Sequence, residues 1–362
     1  MRRRSKQSFD LQSDPRENPR VFDFAAEVCY NVRMEHGSMY HNEIPAVLDA
    51  CAAAPCMQRL KAVGMNCGCE YTSFPRFAGL QPYSRFDHSL GVAQIVWHFT
   101  HDEKQAVAGL LHDVATPVFA HVVDFLKGDY LVQESTEDGT RAIIEADATL
   151  QRALTSFGLK TDDVCDYHRY PVADNDSPKL SADRLEYTLG NLLNYRICSA
   201  DETRVFYGDL SVAENEAGEP ELAFSTAKIA EAFALASLAC SKIYVSDEDR
   251  YAMQMLSELL RAALDRGVLS DADLYATEPE VIAKLLGSEA TAAEWRRFCA
   301  MHSIRCADAP QKTGAWRRIA AKKRCIDPLI IGTGRVSAYA KPFAAELGAF
   351  LSDPQTEWLA GE

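Results

Sequence analysis

The chain has 362 residues, 47% of them hydrophobic and 25% charged, with eleven cysteines and a net charge of −14. That length fits one large domain or two ordinary ones, and the composition is that of a globular protein. So acidic a chain repels duplex nucleic acid, no apolar stretch approaches the ~20 residues of a membrane span, and the basic start MRRRSKQSFD lacks the apolar segment of a secretory signal.

In chain order, residues 1–40 read as a tail and lead-in. The stretch 44–63 has helical spacing with a break at Pro55, and Cys67 to Tyr83, rich in Gly, Pro and aromatics, reads as a loop or short hairpin. Leu90, Val92, Ile95, Val96 and Phe99 mark a helix over 89–99. Asp102 and Gln105 open the next helix as a capping box; it runs to about Val114, before Pro117. Further helices are predicted over 142–157, 182–195, 224–244, 249–267 (ending on a Gly cap), 278–286 and 290–302. Strand signals are few: Thr203–Tyr207 with Leu210–Val212 around a Gly208-Asp209 turn, and Leu329–Ile331. The fold class is therefore all-α, with small β-hairpin decorations, a core over 41–200 and a mainly helical region over 201–362 packed on it. Cys67-Gly68-Cys69 is too tight for a zinc knuckle, and the odd cysteine count argues against a disulfide framework, so a reducing, cytoplasmic setting is expected.

His112 and Asp113 directly follow the apolar run Ala106–Leu111. At 3.6 residues per turn, Val107, Leu110, Leu111 and Val114 share one buried stripe, and the His-Asp pair lies on its flank. A carboxylate there is costly unless something pairs with it. A metal cation is one solution, because it takes neutral imidazole and carboxylate oxygen as ligands. His88, at the start of the preceding helix, comes beside His112 if the two helices run antiparallel. Asp183 opens a later helix on which Asp183, Tyr187 and Asn191 fall at i, i+4 and i+8, so one face looks into a single site. The one basic block, Lys312 to Arg324, carries six cations and no acid. It is either a solvated helix face or a phosphate or nucleotide contact.

These segments resemble the HD-domain metal-dependent phosphohydrolases, and within them the deoxynucleoside triphosphate triphosphohydrolases, meaning the bacterial dGTPases and the mammalian SAM-and-HD-domain relative. The likeness is carried, in the family's order, by MQRLKAVG (57–64), SRFDHSLGV (84–92), AGLLHD (108–113), PVFAH (117–121), SADRLEYTLGN (181–191) and KKRCIDPLI (322–330). It implies a helical HD core in which His88, His112, Asp113 and Asp183 hold a divalent ion: Fe, Mn, Ni or Zn, with Mg also admissible. It implies Arg85 and Arg184 as phosphate contacts, Tyr187 on the sugar, and His121 with Asp124 as an oriented acid beside Asp113. It also implies a homo-oligomer.

The departures from the family pattern bear on substrate. Thr116 stands where the family has a histidine that acts on the phosphate; it can donate a hydrogen bond to substrate but carries no proton at neutral pH. Gln133-Glu134 replaces a His-Glu pair. Met65-Asn66 replaces a Gln-Leu pair that meets ribose and base, and Asn191 an acid that reads the 3′-hydroxyl. His168 and Arg169 either substitute for the lost groups or belong to a surface loop. The expected function is a metal-dependent phosphohydrolase acting on a nucleotide or other small phosphate ester, with ordinary dNTPs poor substrates. The alternative is a catalytically weak or inactive HD-domain protein that binds metal and a phosphorylated ligand in a regulatory role.

Overall fold

A computed structural model describes Tyr40 and residues 45–128 and 139–362. The tail over 1–39 and the pair Gln133-Glu134 lie outside the described residues. The fold is mainly helical with two small sheets.

The first half is built from short helices: α1 (Ala46–Ala52), α2 (Pro55–Arg59), α3 (Arg85–Thr100), α4 (Glu103–Leu111), α5 (Val122–Lys127), α6 (Thr140–Ala146), α7 (Ala148–Ser156), α8 (Thr161–Val164) and α9 (Ala182–Asn194). Pro55 is the first residue of α2, where its missing N–H costs nothing, which is why 44–63 breaks there. The loop before α3 is closed by a single antiparallel bridge, Gly64 to Ser84, with no hairpin inside it. α3 and α4 fold back on each other through His101, left-handed at φ 50°, and Asp102, whose carboxylate accepts from Lys104 N and Gln105 N. α4 ends at Leu111, earlier than the pattern implied. The helix expected over 142–157 is two, because Asp147 leaves the first and caps the second, accepting from Thr149 N at 2.9 Å and Leu150 N at 3.0 Å.

The second half holds α10 (Ala200–Gly208), α11 (Ala227–Ile243), α12 (Asp247–Asp265), α13 (Glu278–Gly287), α14 (Glu289–Ala300), α15 (Val336–Tyr339) and α16 (Lys341–Ser352). Thr203–Tyr207 is helix, not strand. Ser199 and Glu202 form a reciprocal cap, and Thr203, Phe206 and Tyr207 then fall on one buried helical face. The hairpin is instead β1 (Leu210–Glu214) with β2 (Pro220–Phe224), extended by β5 (Leu329–Ile330) and β6 (Gly334–Arg335) in the order β1-β2-β5-β6. A second sheet, β3 (Ile304–Ala307), β7 (Trp358–Gly361) and β4 (Arg317–Arg318), was not signalled by the pattern. The basic block is therefore no helix face: it forms β4 and an irregular run to Arg324.

Two apolar clusters form the interior, and neither follows the chain in one piece. The first joins α1–α4, α7 and α9 to α11 and α16 through residues such as Leu48, Ile95, Leu110, Leu189, Phe233 and Phe343. The second joins Phe74, Phe119 and α5 to α12, α14 and Leu359. Among the described residues no single helix is long and apolar enough to cross a membrane.

Candidate metal centre

Helix ends deliver the candidate ligand side chains. Ser84 and Asp87 cap each other at the start of α3, Asp87 N donating to Ser84 Oγ and Ser84 N to Asp87 Oδ2, both at 3.2 Å. That fixes Arg85 and His88 in the first turn. His112 follows the last residue of α4, and Asp183 opens α9 behind the Ser181 cap.

The hydrogen bonds set both imidazole tautomers. His88 Nδ1 lies 2.5 Å from Glu186 Oε2, and His112 Nδ1 lies 2.7 Å from the carbonyl of Gly109. Both partners accept, so each Nδ1 carries the hydrogen and each Nε2 is turned into the site. The two Nε2 atoms stand 3.2 Å apart, and His88 Nε2 is 3.1 Å from Asp183 Oδ1. The ligand atoms of His88, His112 and Asp183 all lie within 4.8 Å of one another. Two acceptor lone pairs facing each other beside a carboxylate need positive charge between them, so this donor set suits a divalent metal. Asp113 Oδ2 is 3.6 Å from His112 Nε2 and 3.8 Å from His88 Nε2. It accepts from Arg85 Nη1 at 2.9 Å, while Oδ1 accepts from Thr116 Oγ1 at 2.7 Å.

The electrostatics state the same demand for a cation. A proton on His88 Nε2 meets that demand as a metal would: burial opposes charge on His88, but Asp183 and Glu186 outweigh it and hold the imidazole up at about 10, so a metal ion binds there by displacing the proton. Burial likewise disfavours the Asp183 carboxylate, yet His88 and His112 keep it at about 2. Asp113, despite its burial, is held well below the usual carboxylate range by Arg85 and the two histidines.

Glu186 supports this arrangement from beneath. It is buried, accepts from Tyr83 Oη on the oxygen that meets His88, and accepts from Tyr40 Oη at 3.3 Å. Gly91 makes room for it: a Cβ there would stand 2.6 Å from Glu186 Oε1. Glu186 was missed in the sequence. Its signal was an acid on the inward face of α9, one turn after Asp183.

The cluster lines a cavity of about 770 Å³ whose walls include Arg85, His121, Tyr187, Asn191 and the segment 321–325. Tyr187 and Asn191 share this cavity with the histidines, as their spacing along the helix implied, and Met65 and Asn66 line it too, as the family resemblance implied. Asn191 donates to Tyr244 Oη at 2.9 Å and leaves a buried Oδ1 without a hydrogen-bond partner. His121 donates from Nδ1 to Asp124 Oδ2 at 2.8 Å, and its Nε2 accepts from Arg324 Nη2 at 3.1 Å. Burial and the nearby Arg324 lower the proton affinity of His121. Asp124 is fully buried behind His121 and is absent from the cavity wall, so it reaches the cavity only through the imidazole it orients.

Two expected substrate contacts have their polar atoms committed to partners within the protein. Thr116 is 1% exposed and off the cavity wall; its hydroxyl is spent on Asp113 and its carbonyl accepts from Arg59. That hydrogen bond orients Asp113. Arg184 lines the cavity, but its guanidinium is spent on Asp174, the carbonyls of Lys179 and Asn175, and the Asn175 side chain. It fastens the loop before α9. His168 also lines the cavity and is oriented by Asp174 Oδ2 at 2.8 Å, whereas Arg169 Nη1 donates outward to the Asp162 carbonyl. Ten cysteines are free thiols, and no disulfide occurs among the described residues.

No family model matches the chain. It is similar to the uncharacterized protein YdhJ of Bacillus subtilis, 27% identical over 213 residues, covering 57% of this chain and 62% of that protein. It is also similar to the metal-dependent phosphohydrolase cns2 of Cordyceps militaris, 26% identical over 123 residues, covering 33% of this chain and 34% of that protein. The matched regions thus span less than two thirds of each relative.

Proposed function

We propose that this protein is a metal-dependent phosphohydrolase of the HD type, acting on a nucleotide or another small phosphate ester. The observation that carries the reading is the convergence of His88 Nε2, His112 Nε2 and the Asp183 carboxylate on the wall of a ligand-sized cavity. Asp113 is the fourth ligand in this account. Imidazole donors favour Fe, Mn, Ni or Zn over Mg. When bound, such an ion supplies Lewis acidity toward a phosphoryl oxygen and toward water.

The chain's own groups do the rest. Glu186 and the Gly109 carbonyl keep both Nε2 atoms available, and Arg85 and Thr116 hold Asp113 in place. His121, with its Nδ1–H fixed on Asp124, exchanges protons with the reacting group through Nε2. Tyr187 and the orphaned Asn191 Oδ1 form the wall that meets the organic part of the substrate. An amide, Asn191, stands where the resembled family has an acid toward the 3′-hydroxyl, which argues for weak discrimination between ribose and deoxyribose.

One observation favours a second reading, a ligand-binding protein with slow turnover: the position of the family's phosphate-directed histidine is a threonine already committed to Asp113. Phosphate release from a panel of nucleotides and phosphomonoesters, each with Mn, Ni, Fe or Mg, separates the two. Metal-dependent release from any of them supports the hydrolase. No release, with a phosphorylated ligand still bound, supports the second reading. A cytoplasmic homo-oligomer accompanies either reading as part of the proposal.

A further inference from the structure

Three arginines line the cavity, and they differ in what holds them. Arg85 is paired with the buried Asp113 carboxylate. Arg184 is paired with Asp174 and two backbone carbonyls. Pulling either away to meet a ligand would strand a buried carboxylate, which is strongly unfavourable. Arg324 Nη2 donates to His121 Nε2, a neutral acceptor, at 3.1 Å. A phosphate oxygen is a stronger acceptor than an imidazole nitrogen, and a guanidinium can meet it with two parallel N–H groups.

The segment that carries Arg324 is anchored on both sides. Ala321 N donates to Gln355 Oε1 at 2.9 Å, and Lys323 Nζ donates to the carbonyls of Phe350, Leu351 and Asp353 at the end of α16. Beyond Arg324, Ser177 Oγ donates to the Cys325 carbonyl at 3.1 Å, and Asp327 N donates to the Pro178 carbonyl at 2.8 Å. The backbone on either side is thus tied down while the guanidinium projects into the cavity.

We propose that Arg324 is the residue that binds the substrate's phosphate group, and that it exchanges His121 for a phosphate oxygen as the ligand enters. This rests on the phosphate-ester reading of the site. The exchange has a consequence for His121. Its Nε2 lone pair is released within the site at the moment the anion arrives, while Asp124 continues to orient the ring. The second half of the chain thereby supplies a working residue to a metal cluster built entirely from the first. Half of the basic block's ambiguity is also resolved: Lys323 is structural and Arg324 is the ligand contact.

Inorganic phosphate is the probe, titrated by calorimetry into metal-loaded full-length protein. The expected result is that R324Q weakens phosphate binding at least tenfold, that R324K recovers part of the loss, and that metal content equals wild type in both. In nitrogen-15 spectra of histidine-labelled protein, phosphate should shift the His121 Nε2 resonance in wild type and leave it in place in R324Q. Unchanged phosphate affinity in a folded R324Q, or no phosphate binding by the wild type, overturns the inference. The two readings fail separately. A wild type that hydrolyses no ester but binds phosphate through Arg324 keeps this inference and sinks the hydrolase; one that hydrolyses esters with an unchanged KM in R324Q does the reverse.

Discussion

His88 and Glu186 meet through Nδ1 and Oε2 at 2.5 Å, in the buried floor of the site. This contact fixes the tautomer that leaves Nε2 facing His112 and Asp183. Glu186→Gln keeps the shape but gives up a charged acceptor. Partners in this position typically contribute 10- to 100-fold in metal affinity. Competition with a chromophoric chelator is expected to find a loss of about that size, with an unchanged far-UV spectrum. Wild-type affinity in the variant would mean that the Gly109–His112 side alone organises the site.

Thr116 tests the reading of the phosphate-directed position. Its buried hydroxyl donates to the buried Asp113 carboxylate. Thr116→Val should cost about 1–3 kcal/mol of stability, because one acceptor of a buried carboxylate loses its donor. Thr116→His must also force a larger ring into packed space, which typically costs a further 1–3 kcal/mol. Denaturant midpoints are expected to order wild type above the valine variant and that above the histidine variant, with no gain in turnover for the last. A histidine variant that is stable and faster would restore position 116 to the substrate.

A buried acid pair outside the site sets a pH dependence. Burial, reinforced by Glu278, pushes the Glu70 carboxyl up from 4.5 to about 8. Between those values the folded chain keeps a proton that the unfolded chain has released, so stability falls as pH rises through that window and levels off above it. Glu70→Gln removes this loss. The Tm of the variant should gain on wild type from pH 5 to pH 9, the gap opening chiefly below pH 8. A gap that does not change with pH would show that Glu70 releases its proton normally.

The interleaved cores bear on truncation. Ending the chain near residue 215 removes β2, which pairs along β1, and α11, whose Phe233 and Ala234 are buried in the first cluster. It also removes Asp249, Met253 and the segment 321–325 from the cavity wall. Such a fragment is expected to aggregate or melt without cooperativity. A monodisperse fragment with a sharp transition would show that 41–200 forms an independent domain.

The grouping of His88, His112 and Asp183 was legible because each sits near a helix terminus, where capping residues close in sequence (Ser84 with Asp87, Ser181 before Asp183) mark its place. Spacing along α9 likewise gave the shared face of Asp183, Tyr187 and Asn191. Arg324 was legible only as charge, since its contact with His121 joins residues 203 positions apart. The pairing of β3 with β7 is equally remote and left no local pattern. Thr203–Tyr207 misled for the opposite reason. Its β-branched and aromatic residues favour strand locally, but the Ser199–Glu202 cap and a buried i, i+3, i+4 face fix it as helix. Arg184 was read from its neighbour Asp183, and nothing local announced that the loop from Asp174 to Lys179 would claim its guanidinium.

The central claim is that His88, His112 and Asp183 hold a divalent metal, and elemental analysis of full-length protein purified without chelator tests it most directly. Wild type is expected to carry close to one transition ion per chain. His112→Ala and Asp183→Ala should each lose most of it while remaining folded. Metal content unchanged in both variants, or a wild type that neither retains nor takes up any divalent ion, would contradict the account.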